Sequence, residues 1–146
     1  MIPQITKILA NAEASPSSAS TASGAAFIAG LDSFDAITIV AQLAGATGGT
    51  LDVYVQTSYD GTTWFDLVHF AQLAAAASAV IYTVSPTIGN IVTTIGSGSS
   101  PALAAGTCSP VRWGGSMRVL YVAGASTSAG AAQTVKVHCF SGSQGR

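Results

Sequence analysis

LDVYVQTSYDGTTWFDLVHF, residues 51–70, carries the clearest strand signal in the chain. In its first arm Leu51, Val53 and Val55 alternate with Asp52, Tyr54 and Gln56, the period of two expected of a strand with one face buried. A second strand-like arm covers residues 64–70, and Asp60-Gly61 stands between the two. Glycine takes left-handed backbone geometry there without steric cost, and an aspartate bonds its own backbone. The stretch therefore reads as a β-hairpin. A projecting loop would leave an exposed rim around Tyr59 and Trp64.

Similar strand-like runs recur at residues 25–29, 37–43, 80–84, 91–95, 117–123 and 134–140. Glycine-, serine- and asparagine-rich turns separate these runs at residues 45–50, 85–90, 96–101, 114–116 and 124–130. About eight short strands with this punctuation indicate an all-β protein, an antiparallel sandwich or a barrel. Only the alanine run at 74–77 has helix propensity, enough for one turn between strands.

The first 23 residues differ from the rest. Residues 13–23 have the small polar composition of a flexible linker, and an apolar tip carrying Ile2, Ile5, Ile8 and Leu9 precedes them. Such a segment reads as an N-terminal arm, residues 1–23, ahead of a β domain at 24–146. Its isoleucines are costly to leave in water, which favours docking on the domain or on a neighbour.

Charge is scarce and sorted. Only 8% of the 146 residues are charged, mean hydropathy is +0.50, and residues 67–111 contain no Asp, Glu, Lys or Arg. An ordinary soluble domain carries roughly a quarter charged residues, and a surface so neutral tends to associate. A chain of this kind fits an assembly component covered by neighbours, the alternative being a monomer with an uncharged Ser/Thr/Gly surface. Every acid (Glu13, Asp32, Asp35, Asp52, Asp60, Asp66) precedes residue 67, whereas Arg112, Arg118, Lys136 and Arg146 follow residue 111. That order suits either acidic and basic faces meeting between subunits or pairing within one chain. With a net charge of −1 there is no basic excess for nucleic acid. The apolar run at 71–84 is too short and interrupted for a membrane span. The N-terminus lacks the apolar core of a secretory signal, so synthesis in the cytosol is expected.

Motifs that carry chemistry are missing. No phosphate-binding glycine loop, nucleophile elbow, His-Glu-x-x-His or Cys-x-x-Cys occurs. Asp66 and His69 are three apart on a strand, which regular alternation sends to opposite faces, although Asp52 or His138 from neighbouring strands could approach either. His69 and His138 read as hydrogen-bonded structural residues. Cys108 and Cys139 read as small buried apolar groups, with a single disulfide between them left open. Catalytic residues, a metal and a cofactor are not expected. Arg112-Trp113 and Arg118 are candidates for a cation over an aromatic face.

The hairpin also carries a resemblance. Val53, Gln56, Ser58, Asp60, Gly61, Trp64 and Asp66, with the later Arg118-Val-Leu-Tyr121 strand, resemble a segment of small structural proteins of tailed bacteriophages. The resemblance implies a capsid decoration or cement protein, a jelly-roll-like β-sandwich on the outside of the shell. Its partners would be the major capsid protein and further copies of itself, as a dimer or trimer. Arm residues Ile2, Ile5, Ile8 and Leu9 and the aromatics Tyr59, Trp64 and Trp113 are the candidate contacts, core packing being the alternative for the aromatics. Other readings are a head-tail connector or tail-associated protein, or a carbohydrate-binding sandwich with the three aromatics as a stacking platform.

Overall fold

In a computed structural model of the chain, the described residues are 5–14, 21–23, 28–29, 36–44, 51–70, 79–84, 101–123 and 134–142. They form strands and connecting segments, with no helix among them. The strands are β1 (Ile5–Ala14), β2 (Thr21–Ser23), β3 (Ile28–Ala29), β4 (Ala36–Ala44), β5 (Leu51–Ser58), β6 (Phe65–His69), β7 (Ala79–Val84), β8 (Thr107–Cys108), β9 (Ser116–Ala123) and β10 (Thr134–Gly142). They make two antiparallel sheets. One is four-stranded in the order β1-β10-β4-β7; the other is six-stranded, β2-β9-β5-β6-β8, with β3 also on β9.

The all-β expectation holds for the described residues, and the hairpin arms stand where the alternation put them. β4, β7, β9 and β10 overlap expected strands within a residue or two. The expected strand at 91–95 and the alanine turn at 74–77 lie outside the described residues.

The N-terminal segment takes part in both sheets. β1 pairs along β10 from Ile5↔Ser141 to Ala14↔Thr134, and β2 pairs with β9 from Thr21↔Val122 to Ser23↔Leu120. Linker-like composition at 13–23 concealed the β2 pairing, and the apolar tip before it reads as an arm and not as a strand. A strand's main-chain hydrogen bonds do not depend on side-chain type, so serine, threonine and alanine can fill short edge positions.

β4 shows how its sequence sets a face. Ile37, Ile39 and Ala41 are fully buried, while Ala36, Thr38 and Val40 between them are partly exposed, as alternation requires. β5 departs from that rule, because all six residues from 53 to 58 are buried. As an inner strand between β9 and β6 it has one apolar face, formed by Val53 and Val55 with Val119, Tyr121 and Val68 across from them. The opposite face, expected to meet solvent, is polar and covered.

Candidate functional site

The covered polar face comes from a defect in β6. Register runs Tyr54↔His69 and Val55↔Val68, then shifts so that Gln56 faces Asp66, leaving Leu67 as the extra residue of a β-bulge. A bulge inserts one residue on one strand and resets which side chains share a face. Asp66 and His69, three apart, therefore lie on the same face as Tyr54 and Gln56. This corrects the expectation of opposite faces, which assumed unbroken alternation. The approach expected of Asp52 does occur: its Oδ1 lies 3.2 Å from His69 Nε2.

Residues 101–103 lie over this face as a strap, and the chain then runs into β8 at the sheet edge. Asp66, with no exposed surface, fastens it: Oδ2 accepts the backbone N–H of Ala102 at 2.8 Å and of Leu103 at 3.2 Å, while Oδ1 accepts Gln56 Nε2–H at 2.8 Å. His69 Nδ1 stands 2.7 Å from the Leu103 carbonyl, so both ring nitrogens face oxygen acceptors, and the ring stacks on Tyr54 at 3.8 Å between centroids. Backbone bonds continue the attachment, from Gly106 N–H to the His69 carbonyl at 3.0 Å and from Ser109 N–H to the Leu67 carbonyl at 2.7 Å. Gln56 Oε1 in turn accepts Arg118 Nε–H at 2.9 Å, and the Arg118 guanidinium lies 4.6 Å over the Trp64 ring. Burial lowers the Arg118 pKa from its usual value. Burial first, then the negative charges of Asp52 and Asp66, push the Tyr54 phenol up to about 12. Buried polar groups are costly unless bonded, and this network satisfies them by recruiting backbone donors from the strap.

The hairpin tip is built as Asp60-Gly61 predicts. Gly61 takes a φ of +76°. Asp60 Oδ1 accepts the N–H groups of Thr62 at 2.8 Å and Thr63 at 2.6 Å, Oδ2 accepts the Thr63 hydroxyl at 2.7 Å, and Ser58 Oγ accepts Gly61 N–H at 2.9 Å. These donors, led by the Thr63 and Thr62 backbone, hold the Asp60 carboxyl well below the usual carboxylate range. The Tyr59 hydroxyl donates to the Arg112 carbonyl, tying the tip to the end of the segment that continues from the strap. Behind it Gly114 packs against the hairpin backbone. Its N–H donates to Thr57 Oγ1 at 2.8 Å, and a Cβ there would stand 2.0 Å from the Ser58 carbonyl oxygen.

The candidate contact residues separate. Tyr59 is 59% exposed and Trp64 is partly exposed, which makes the expected rim, but Trp113 is packed inside at 1%. The cation lies over Trp64 and comes from Arg118. With Trp113 inside, the three aromatics form no common platform on the free surface. Ile5, Ile8 and Leu9 belong to β1, and Ile2 lies outside the described residues. Cys108 is exposed and unbridged on β8, which corrects its reading as a buried apolar group; a two-residue edge strand has too little cover to bury it. No group of three His, Cys, Asp or Glu side chains among the described residues is placed to hold a metal ion.

The Gln56–Asp66–His69 network was not found from the sequence. Its only signal was the polar set Asp52, Tyr54 and Gln56, which reads equally well as a solvated face. Comparisons of the chain with family models, curated proteins and solved structures give no match.

Proposed function

We propose that this chain is a non-enzymatic structural protein of a bacteriophage virion, a cement or decoration protein that binds the outer capsid lattice and stabilises contacts between major capsid subunits. One observation carries the reading. Gln56, Asp66 and His69 face inward, with Asp66 and His69 fastening the strap, while the strap and β8 turn an uncharged surface outward. Ala102, Ala104, Ala105, Gly106, Thr107 and Cys108 are all exposed, within the charge-free stretch 67–111. A neutral outer layer held rigidly from beneath suits a static contact, because little ordering is left to oppose binding. The hairpin's resemblance to phage structural proteins points the same way.

In this reading the two sheets stack as a jelly-roll-like sandwich. Ile37, Ile39, Ala41 and Val84 of one sheet and Val53, Val55, Val119 and Tyr121 of the other are each almost wholly buried, as facing layers of one core would be. Contacts to the shell come from the strap, from Tyr59 and Trp64 at the hairpin rim, and from the N-terminal residues Ile2, Ile5, Ile8 and Leu9. Trp113 serves the core instead. Apolar burial at roughly 25 cal/mol per Å2 gives each copy a modest contact, and repetition over the lattice with self-association supplies avidity.

The experiment is quantitative mass spectrometry of purified particles of the source virus, counting this chain against the most abundant shell protein. A fixed lattice-scale ratio is expected. A ring-sized copy number moves the protein to the neck or tail, and absence from particles overturns the virion role. A saturable tryptophan fluorescence change on glycan titration would then favour sugar binding.

A further inference from the structure

A strand at the edge of a sheet offers unpaired N–H and C=O groups to other chains, and folds blunt such edges with short strands, bulges or charge. Among the described residues, three of the four sheet edges are blunted. In the six-stranded sheet β8 has two residues, and the other side ends in β2 with three and β3 with two. In the four-stranded sheet β1 carries Lys7 and Glu13 and two register shifts, at Ile8/Ala10 and Ala10/Glu13. The last edge, β7, has none of these features. Its six residues, AVIYTV, contain no charge, glycine or proline, and its register on β4 is unbroken from Ile37↔Val84 to Gln42↔Ala79. Among the described residues no strand pairs with its outer side. Ile81 is 63% exposed, a large apolar side chain turned to solvent.

We propose that β7 is the self-association edge: two copies of this chain pair β7 to β7, antiparallel about a two-fold axis, joining their four-stranded sheets into one. A second copy fits this edge better than a charged peptide does. An antiparallel edge repeated about a two-fold axis presents donors to acceptors and acceptors to donors, so the strand is its own complement. β7 lies inside the charge-free stretch 67–111, so copies meet without like-charge repulsion, and an acidic or basic strand would find no counter-charge there. An axis near the middle of the strand brings the two Ile81 side chains, on one face of the joined sheet, within cross-strand reach. Much of their exposed apolar surface is then covered. The inference deepens the self-association within the proposed role and does not depend on capsid attachment, which the particle count tests separately.

The test is analytical ultracentrifugation of the full chain over a concentration series, with hydrogen exchange read on residues 79–84. A monomer–dimer equilibrium is expected, with β7 amides gaining protection as the dimer fills. Ile81→Lys, at an exposed position, should keep the circular dichroism of the parent and raise the dimer Kd about tenfold or more, an effect that salt partly reverses. Ile81→Thr, which keeps the β-branch without charge, should raise it less. A single copy at every concentration overturns the proposal, as does a trimer. It also fails if β7 is equally protected in dilute and concentrated samples, which would mean the edge is filled within one chain. Finally, it fails if Ile81→Lys leaves the dimer Kd unchanged.

Discussion

The two faces of β5 are both buried, yet different physics holds each. On one side Val53, Val55, Val119, Tyr121 and Phe70 are removed from water almost completely, a non-directional gain roughly proportional to apolar area. On the other, Tyr54, Gln56, Asp66 and His69 are buried beneath residues 101–103 by directed bonds. Each such bond contributes only about 1 kcal/mol net, yet leaving a buried partner unsatisfied costs about 1–3. The apolar face supplies bulk stability, and the polar face specifies one position for the strap. Substitutions on the first should lower the stability of the whole unit, whereas substitutions on the second should loosen the strap locally.

The largest expected effect is on the apolar side. Phe70→Ala removes a fully buried ring and should cost about 4 kcal/mol of unfolding free energy, with one cooperative denaturant transition at a lower midpoint. Gly114→Ala tests the seam where the chain returns to the hairpin. The nearest atoms to its Cβ are backbone, which cannot rotate aside, so a loss of about 3 kcal/mol is expected. Asp66→Asn should cost about 2 kcal/mol, and its signature is where the loss appears. Amide exchange at Ala102 and Leu103 should accelerate well before that of β9, and equal acceleration at both would erase the distinction between the faces.

Two pH effects are smaller. The unfolded Tyr54 phenol ionises near 10, whereas in the fold it stays protonated to about 12. Its contribution is therefore intact below 10 and is lost as pH rises from 10 toward 12. Ultraviolet difference titration followed alongside unfolding midpoints checks this. Asp60 behaves in the opposite sense at the acid end. Its ordinary pKa of 3.8 is lowered by the Thr63 and Thr62 amides, so its contribution is complete above that value and lost as pH falls below it. Carbon-13 titration of the Asp60 carboxyl should show it still ionised when an unperturbed aspartate is half protonated.

The contrast between the faces also explains what the sequence made legible. Alternation at 51–58 located β5 to the residue, and Asp60-Gly61 located the turn, because both signals are local. The apolar half of the core followed from the same pattern. The strap did not, since Ala102 and Leu103 take part through their backbone N–H groups, which every residue but proline possesses. Trp113 was ambiguous for a related reason: an aromatic beside an arginine suits a rim as well as a core, and only the chain's return past Gly114 decides it. At the N-terminus, β2 was hidden by a composition that suits a linker as well as a short strand, and β1 by apolar residues that read as the tip of a docking arm.

The extra residue at Leu67 acts as a change of phase. Up to it β6 keeps one parity against β5; beyond it every side chain is offset by one. Pairing that residue into the ladder, in place of bulging it out, would not merely straighten the strand. With the hairpin turn fixed, Leu67 would then face Val55, which would put His69 opposite Val53 on the apolar layer and turn Phe70 toward the strap, exchanging the chemistry of two layers with no change of sequence. In this hairpin, the place where the ladder skips a residue is therefore as much a part of the encoded information as residue identity.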